Sequence, residues 1–184
     1  DWIVAKDIPT YRHDPKKAAR LLAQAGWIKR GRKLVNKKGE TLTLDIMTTA
    51  GNRSRELVEQ VLQSQWKKLG IDVRIKNQPA RVFFGQTVTQ RRFKAMAMFA
   101  WISSPESVPR TTLHSDHIPS KENNFAGQNY TGYKNPEMDE LLEKIEIELD
   151  RDKRQKLWHR FQTIYADDLP VIPLYFRAEP YILP

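Results

Sequence analysis

The alternation of apolar and polar positions divides the chain into short α and β segments. Asp14-Pro15 opens a helix: the aspartate can accept free amide hydrogens, and proline suits the first helical position. Ala18, Leu21, Leu22 and Ala25 follow at i, i+3, i+4 and i+7, which predicts one buried face, and Gly26 is the stop. The period then shortens to two. A strand at Lys33–Val35, a turn at Asn36-Lys37-Lys38-Gly39 and a return strand over 41–47, with Leu42, Leu44 and Ile46 alternating, read as a hairpin. Residues 54–69 form the clearest helix, with Leu57, Val58, Val61, Leu62, Trp66 and Leu69 on its predicted inner side. Gly70 ends it before an alternating strand over 71–75. A strand, a helical crossover and a second strand predict a parallel pair.

A further helix over about 80–91 leads to 95–100, an almost wholly apolar run that reads as a central strand buried on both faces. The stretch 102–135 is polar and rich in Pro, Gly, Ser and Asn. It is too long for an ordinary connector, so it is functional or carries short helices. Asn135-Pro136 starts a helix with Met138, Leu141, Leu142, Ile145 and Leu149 inward. Asp150 caps the next, whose inner face is Leu157, Trp158, Phe161, Ile164 and Tyr165. The run 169–176 is an apolar strand whose prolines suit an edge or an entry point. There is no internal repeat.

Composition narrows the class. The 184 residues are 40% hydrophobic and 29% charged, normal for a globular domain, and the strand–helix–strand unit followed by the apolar run predicts one α/β domain with a mixed sheet flanked by helices. A chain of this length buries roughly 70% of its unfolded surface and needs no covalent staple. Cysteine is absent, which removes disulfides, thiolate metal sites and thiol catalysis. No stretch reaches the roughly 18 apolar residues of a membrane span. Asp1 is not a natural initiator, so the chain is expected to be processed or cut from something longer.

Charge is unevenly placed. The net value of +9 resolves into +7 over residues 1–40, +6 over 41–135 and −4 over 136–184. Lys29, Arg30, Arg32, Lys33, Lys37 and Lys38 form the densest run. A basic run can be a phosphate-binding stripe, which keeps a nucleic-acid-binding domain as the alternative function. This run lacks interleaved aromatics and alternates with turn residues, so a solvated hairpin is the expected reading.

No catalytic constellation stands out. His114 and His117 lie three apart without a third ligand, a weak metal signal. There is no nucleophile elbow and no glycine-rich phosphate loop. Asp167-Asp168 sits at a helix end, where a turn role is expected. The sequence therefore points to no enzyme and no cofactor.

Five segments nevertheless resemble one family in order along the chain. HDPKKAARLLAQAGW (13–27), LVEQVLQSQWKKLGIDVRI (57–75), MFAWISSPES (98–107), GYKNPEMDELLEK (132–144) and RDKRQKLWHRFQTIYADDLPVIPLYF (151–176) are similar to the C-terminal lobe of the dipeptide/oligopeptide-type solute-binding proteins of ABC importers. The resemblance implies a type II periplasmic-binding-protein lobe over 1–184, with the N-terminal lobe absent. It also implies a peptide or peptide-like ligand enclosed between two lobes, an ABC permease as partner, and a periplasmic or lipid-anchored extracellular location.

Site residues carry over in part. Trp101 matches the tryptophan that ends the family's central strand and is expected to wall the cleft. In peptide-binding members an aspartate follows shortly and pairs with the ligand's α-amino group. Here Ser103 and Ser104 occupy that stretch, and the nearest carboxylate is Glu106. Serine hydroxyls suit a neutral or N-blocked ligand, unless Glu106 reaches in. Arg91 and Arg92, just before the apolar run, are placed either to hold a ligand carboxylate or to sit exposed at a helix end.

Overall fold

The computed structural model describes residues 2–104 and 106–176. Its elements in chain order are α1 (Pro15–Gln24), β1 (Ile28–Arg30), β2 (Lys33–Val35), β3 (Thr43–Met47), α2 (Arg53–Leu69), β4 (Asp72–Ile75), α3 (Ala80–Val82) running on into a π-helical turn (Phe83–Val88), β5 (Met96–Ala97), α4 (Arg110–Leu113), a short 3₁₀ turn (Ser115–His117), α5 (Pro136–Ile147) and α6 (Arg151–Asp168). Strand pairing is of both kinds. β1 and β2 pair antiparallel, whereas β4, β3 and β5 form a parallel sheet in that order.

Helix starts follow their caps. Asp14 accepts from Lys17 N at 2.8 Å, Asn52 from Arg55 N at 3.2 Å, Asn135 from Glu137 N at 3.0 Å, and Asp150 from Lys153 N at 2.9 Å. Each satisfies an amide that the first helical turn leaves free. Gly70 ends α2 with φ 97°, a left-handed conformation that glycine adopts without a Cβ clash.

Several expectations are corrected. The hairpin joins β1 to β2, with Ile28 opposite Val35 and Arg30 opposite Lys33. The expected return strand meets β2 only at the single bridge Val35–Thr41, because from Thr43 onward its ladder is taken by β4. Leu21 is exposed on α1, as are Leu57 and Val61 on α2, and Leu149 lies in solvent beyond α5. On α2 the cause is a rotation of the helix. Its inner stripe is Glu59, Leu62, Gln63 and Trp66, and Gln63 Nε2 donates to Val73 O at 2.8 Å. Two hydrogen-bonding side chains thus replace leucine and valine against the sheet.

The largest correction concerns 95–100. Only Met96 and Ala97 pair with a strand, and they form the sheet edge, half-buried; the central strand is β3. The ladder stops because Thr48 Oγ1 donates to Met98 O at 2.7 Å and takes the next acceptor. The apolar character of the run serves an aromatic cluster, not burial between two layers. The segment 169–176 forms no strand. Its prolines lack N–H groups, no strand edge pairs with it among the described residues, and Val171, Ile172, Leu174, Tyr175 and Phe176 are exposed.

Apolar burial falls into three clusters. One joins β2, β3, β4 and α2 through Leu34, Ile46, Ile71 and Val73. A second joins α5, α6 and the N-terminal Ile3 through Met138, Leu142, Ile145, Trp158, Phe161 and Ile164. The third, Met47, Phe83 and Val88 with Phe93, Ala97, Phe99 and Tyr130 packed on it, lies at the end of the parallel strands. The long polar stretch is organised around Asn129, which is fully buried. Its Nδ2 donates to Leu113 O, His114 O and Tyr133 O at 2.9–3.1 Å, and its Oδ1 accepts from Tyr133 N at 3.0 Å.

Candidate functional site

The carboxyl ends of three parallel strands converge, and in open parallel sheets ligands bind there. β3 ends in Thr48-Thr49, β4 runs on to Asn77-Gln78, and β5 runs on to Phe99-Ala100-Trp101. Beneath this end runs a chain of buried hydrogen bonds. Asn77 Nδ2 donates to Glu59 Oε2 at 2.7 Å, Thr48 N donates to Asn77 Oδ1 at 3.0 Å, and Thr48 Oγ1 reaches Met98 O. Thr87 Oγ1 donates to Gln78 Oε1 at 2.6 Å beside it. Glu59 is fully buried, and its Oε1 has no hydrogen-bond partner. Burial pushes its carboxyl above the usual range; the Asn77 hydrogen bond opposes this, and the nearby Glu56 carboxyl adds to it.

Above that network lies an aromatic ledge. Phe99 meets Phe83, Phe84, Trp101 and Tyr130 edge-on, with centroids 6.2, 5.9, 5.7 and 6.1 Å away. Trp101 also stacks on Tyr130 at 6.3 Å with the planes 22° apart. Trp101 is 53% exposed and Phe84 43%, so the ledge presents open ring faces and edges. Trp101 is therefore not a core tryptophan. Such a surface offers large apolar contact with little side-chain entropy to lose.

The other expected site residues are placed as follows. Arg91 has φ 53° and donates from Nε to Tyr130 O at 3.0 Å, so it braces the back of the ledge. Its guanidinium lies against Gly132, where a Cβ would collide with Nη2. Arg92 has an exposed side chain, while its backbone N donates to Thr87 O at 2.7 Å. Ser103 and Ser104 are exposed in the loop after Trp101, and Ser104 O accepts from Ser107 N at 3.1 Å. Glu106 Oε1 accepts from Trp2 Nε1 at 3.0 Å, and the Arg151 guanidinium sits 5.0 Å from the centre of the Trp2 ring. The structure thus joins Arg91 to the ledge through Tyr130 and engages Glu106 with the N-terminal segment.

Sequence reasoning missed Phe84, Phe99, Tyr130 and the Glu59–Asn77–Thr48 chain. Phe99 and Trp101, two apart on an extended segment, share a face, which is a readable signal. Tyr130 comes from the long polar stretch and carries none. His114 is buried, contacts Glu143 Oε1 through Nε2 at 3.3 Å and accepts from Asp116 N at Nδ1. No group of three or more metal-ligating side chains occurs among the described residues. Asp168 accepts from Tyr133 Oη at 2.5 Å and Asn135 Nδ2 at 2.8 Å, which holds its carboxyl below the usual range and ties the end of α6 to the start of α5.

In this architecture parallel strands open onto an aromatic ledge. Residues 1–120 match the family described as bacterial extracellular solute-binding proteins, family 5 middle, and the chain belongs to that family. It is 31% identical over 191 residues to the oligopeptide-binding protein AppA of Bacillus subtilis, covering all of this chain and 33% of that protein. The oligopeptide-binding protein of Thermus thermophilus, solved with a pentapeptide, superposes with a TM-score of 0.86 at 34% identity, over 95% of this chain and 31% of that one. The AppA structure, solved with a nonapeptide, gives 0.76 at 29% identity, over 92% of this chain and 33% of that one. The chain thus spans about a third of the length of the relatives it matches. Family members are solute-binding proteins, and no helix among the described residues is long and apolar enough to cross a membrane.

Proposed function

We propose that this chain is one lobe of a two-lobed solute-binding protein, periplasmic or anchored outside the cell. It encloses a peptide or peptide-like ligand against a second lobe and delivers it to an ABC permease without chemical turnover. The observation that carries this reading is the aromatic ledge at the carboxyl ends of the parallel strands, where Trp101 and Phe84 are exposed beside the partly buried Phe99 and Tyr130. Aromatic faces accept varied side chains, which suits a peptide carrier. The relatives solved with a pentapeptide and a nonapeptide support the ligand class.

In this reading Trp101 walls the cleft, and Ser103 and Ser104 offer uncharged hydrogen bonds to the ligand backbone. Arg91 sets the Tyr130 face and, with Arg92, supplies positive charge for a ligand carboxylate. Glu106 meets a ligand cation only if it leaves Trp2. A single lobe supplies half the contacts and does not exclude water, and closure of two lobes is a hinge motion. If the two-lobed protein binds at about 1 μM, half of that free energy leaves binding in the millimolar range or weaker. Calorimetry with pentapeptides of varied sequence, on this chain and on the two-lobed protein, tests the proposal. Micromolar binding by the chain alone would overturn the need for a second lobe. Absence of peptide binding by the two-lobed protein would overturn the ligand class.

A further inference from the structure

The β1–β2 hairpin carries positive charge that the fold does not use. Lys29, Arg30, Arg32 and Lys33 are all exposed on it. The hairpin is seated closely on the end of α2. Leu34 N donates to Gly70 O at 2.8 Å, and a Cβ at Gly70 would meet the backbone of Leu34 and Lys33 at 3.0 and 3.1 Å. That seat brings Lys67 and Lys68, from the last turn of α2, beside Lys29 and Arg32 around an open depression of about 280 Å³. On the other face of the ribbon the register sets Arg30 directly opposite Lys33. Like charges directly opposite across a ladder are destabilising.

Four cations elsewhere are paired with carboxylates. Arg74 meets Asp72, Arg110 meets Glu143 and Glu146, Lys144 meets Glu140, and Arg160 meets Glu137. None of the six hairpin and α2 cations has an ion-pair partner among the described residues. The helix C-terminus beneath accommodates Lys67 and Lys68, but the opposed Arg30–Lys33 pair has no structural return.

We propose that the hairpin and the end of α2 form an electrostatic docking surface for a membrane rich in anionic phospholipid headgroups. The ribbon's open face, its tip and the adjoining end of α2 are cationic, while the face that carries Leu34 is seated on the core. This spread of charge fits a laterally mobile array of phosphates, not one fixed carboxylate. The adjoining tryptophans, Trp27 and Trp66, pack against the core cluster beneath, so the six cations lack the free ring faces on which single-stranded nucleic acid stacks. Long basic side chains near an anionic surface gain affinity charge by charge, and the gain decays within a Debye length. The inference rests on membership of an extracellular family and is independent of which ligand the ledge takes. A protein held near the bilayer meets a membrane-embedded partner by a search over a surface.

The test is cosedimentation with vesicles of phosphatidylcholine alone and of phosphatidylcholine with roughly one third phosphatidylglycerol, at about 0.05 M and about 0.3 M salt. Binding is expected to the anionic vesicles only, at low salt. The variant K29E/R32E/K67E/K68E should weaken it by about a hundredfold or more. A control with the same change in net charge on other exposed lysines, K6E/K121E/K134E/K156E, should retain most of it. The milder R30Q/K33Q should bind vesicles less yet melt at a higher temperature, because it relieves the opposed pair. Equal binding to both vesicle types, equal loss in the two quadruple variants, or no binding to either vesicle would overturn the proposal. Tighter binding to single-stranded DNA than to anionic vesicles at the same phosphate concentration would assign the surface to nucleic acid instead.

Discussion

Replacing Trp101 by alanine separates a cleft wall from a packing residue, because the two roles predict different quantities. The indole is 53% exposed, and its ring contacts are the edge of Phe99 and the face of Tyr130. Aromatic pairs add about 0.5–1.5 kcal/mol each beyond burial, and half of this ring stays in water in the free protein. The stability cost should therefore be about 1–2 kcal/mol, against about 3–5 kcal/mol for a fully buried tryptophan. Affinity behaves differently, since a ligand seated on the ledge covers the exposed half. Loss of such an anchor costs on the order of 2 kcal/mol, a roughly 30-fold rise in Kd. Urea unfolding of this chain gives the first quantity, and calorimetry of the two-lobed protein with a pentapeptide gives the second. A stability loss above about 3 kcal/mol with unchanged affinity would return the residue to a structural role and refute the ledge as a binding surface.

Thr48→Val keeps the shape of a fully buried side chain but strips Met98 O of its donor; unfolding should show a loss of about 1–3 kcal/mol. The same variant should weaken peptide binding in the two-lobed protein, since Phe99 and Trp101 follow directly from Met98. Glu59 takes up its proton more readily folded than unfolded. It therefore lowers stability progressively as pH rises from its unfolded value through its raised folded one. Glu59→Gln keeps an acceptor for Asn77 and should flatten that fall, so that melting curves of the variant and the parent converge at low pH and separate towards neutral pH. Asn129→Ala removes the hydrogen-bond partner of Leu113 O, Tyr133 O and Tyr133 N in a fully buried site, while His114 O keeps His117 N, and should cost about 3 kcal/mol or more, read by denaturant titration.

Much of the local structure was legible in the residues. The caps at Asp14, Asn135 and Asp150, the stop at Gly70 and the inner face of α6 are decided by contacts within a turn or two. The β3–α2–β4 unit was legible for a related reason: a helical crossover leaves parallel pairing as the only short connection. The ordered matches to one family named the fold, but Trp101, expected to end a strand, lies beyond the end of β5. What the residues alone did not decide depends on partners distant in sequence. The rotation of α2 follows from Glu59 and Gln63 finding acceptors and donors on β4 and the residue pair after it. Hydrophobicity along the helix does not encode that choice. The run 95–100 is apolar because it feeds an aromatic cluster with Phe83, Phe84 and Tyr130, contributed by a π-helical turn before it and a polar loop some 30 residues after it. Composition reports burial, but it does not report whether the burying surface is a second sheet layer or a set of rings. The same limit applies to 169–176, apolar enough for a strand yet unpaired here, because a strand is a property of two chain segments. Local chemistry wrote the elements; which groups face one another at the strand ends, and so where a ligand can lie, was settled only when distant segments met.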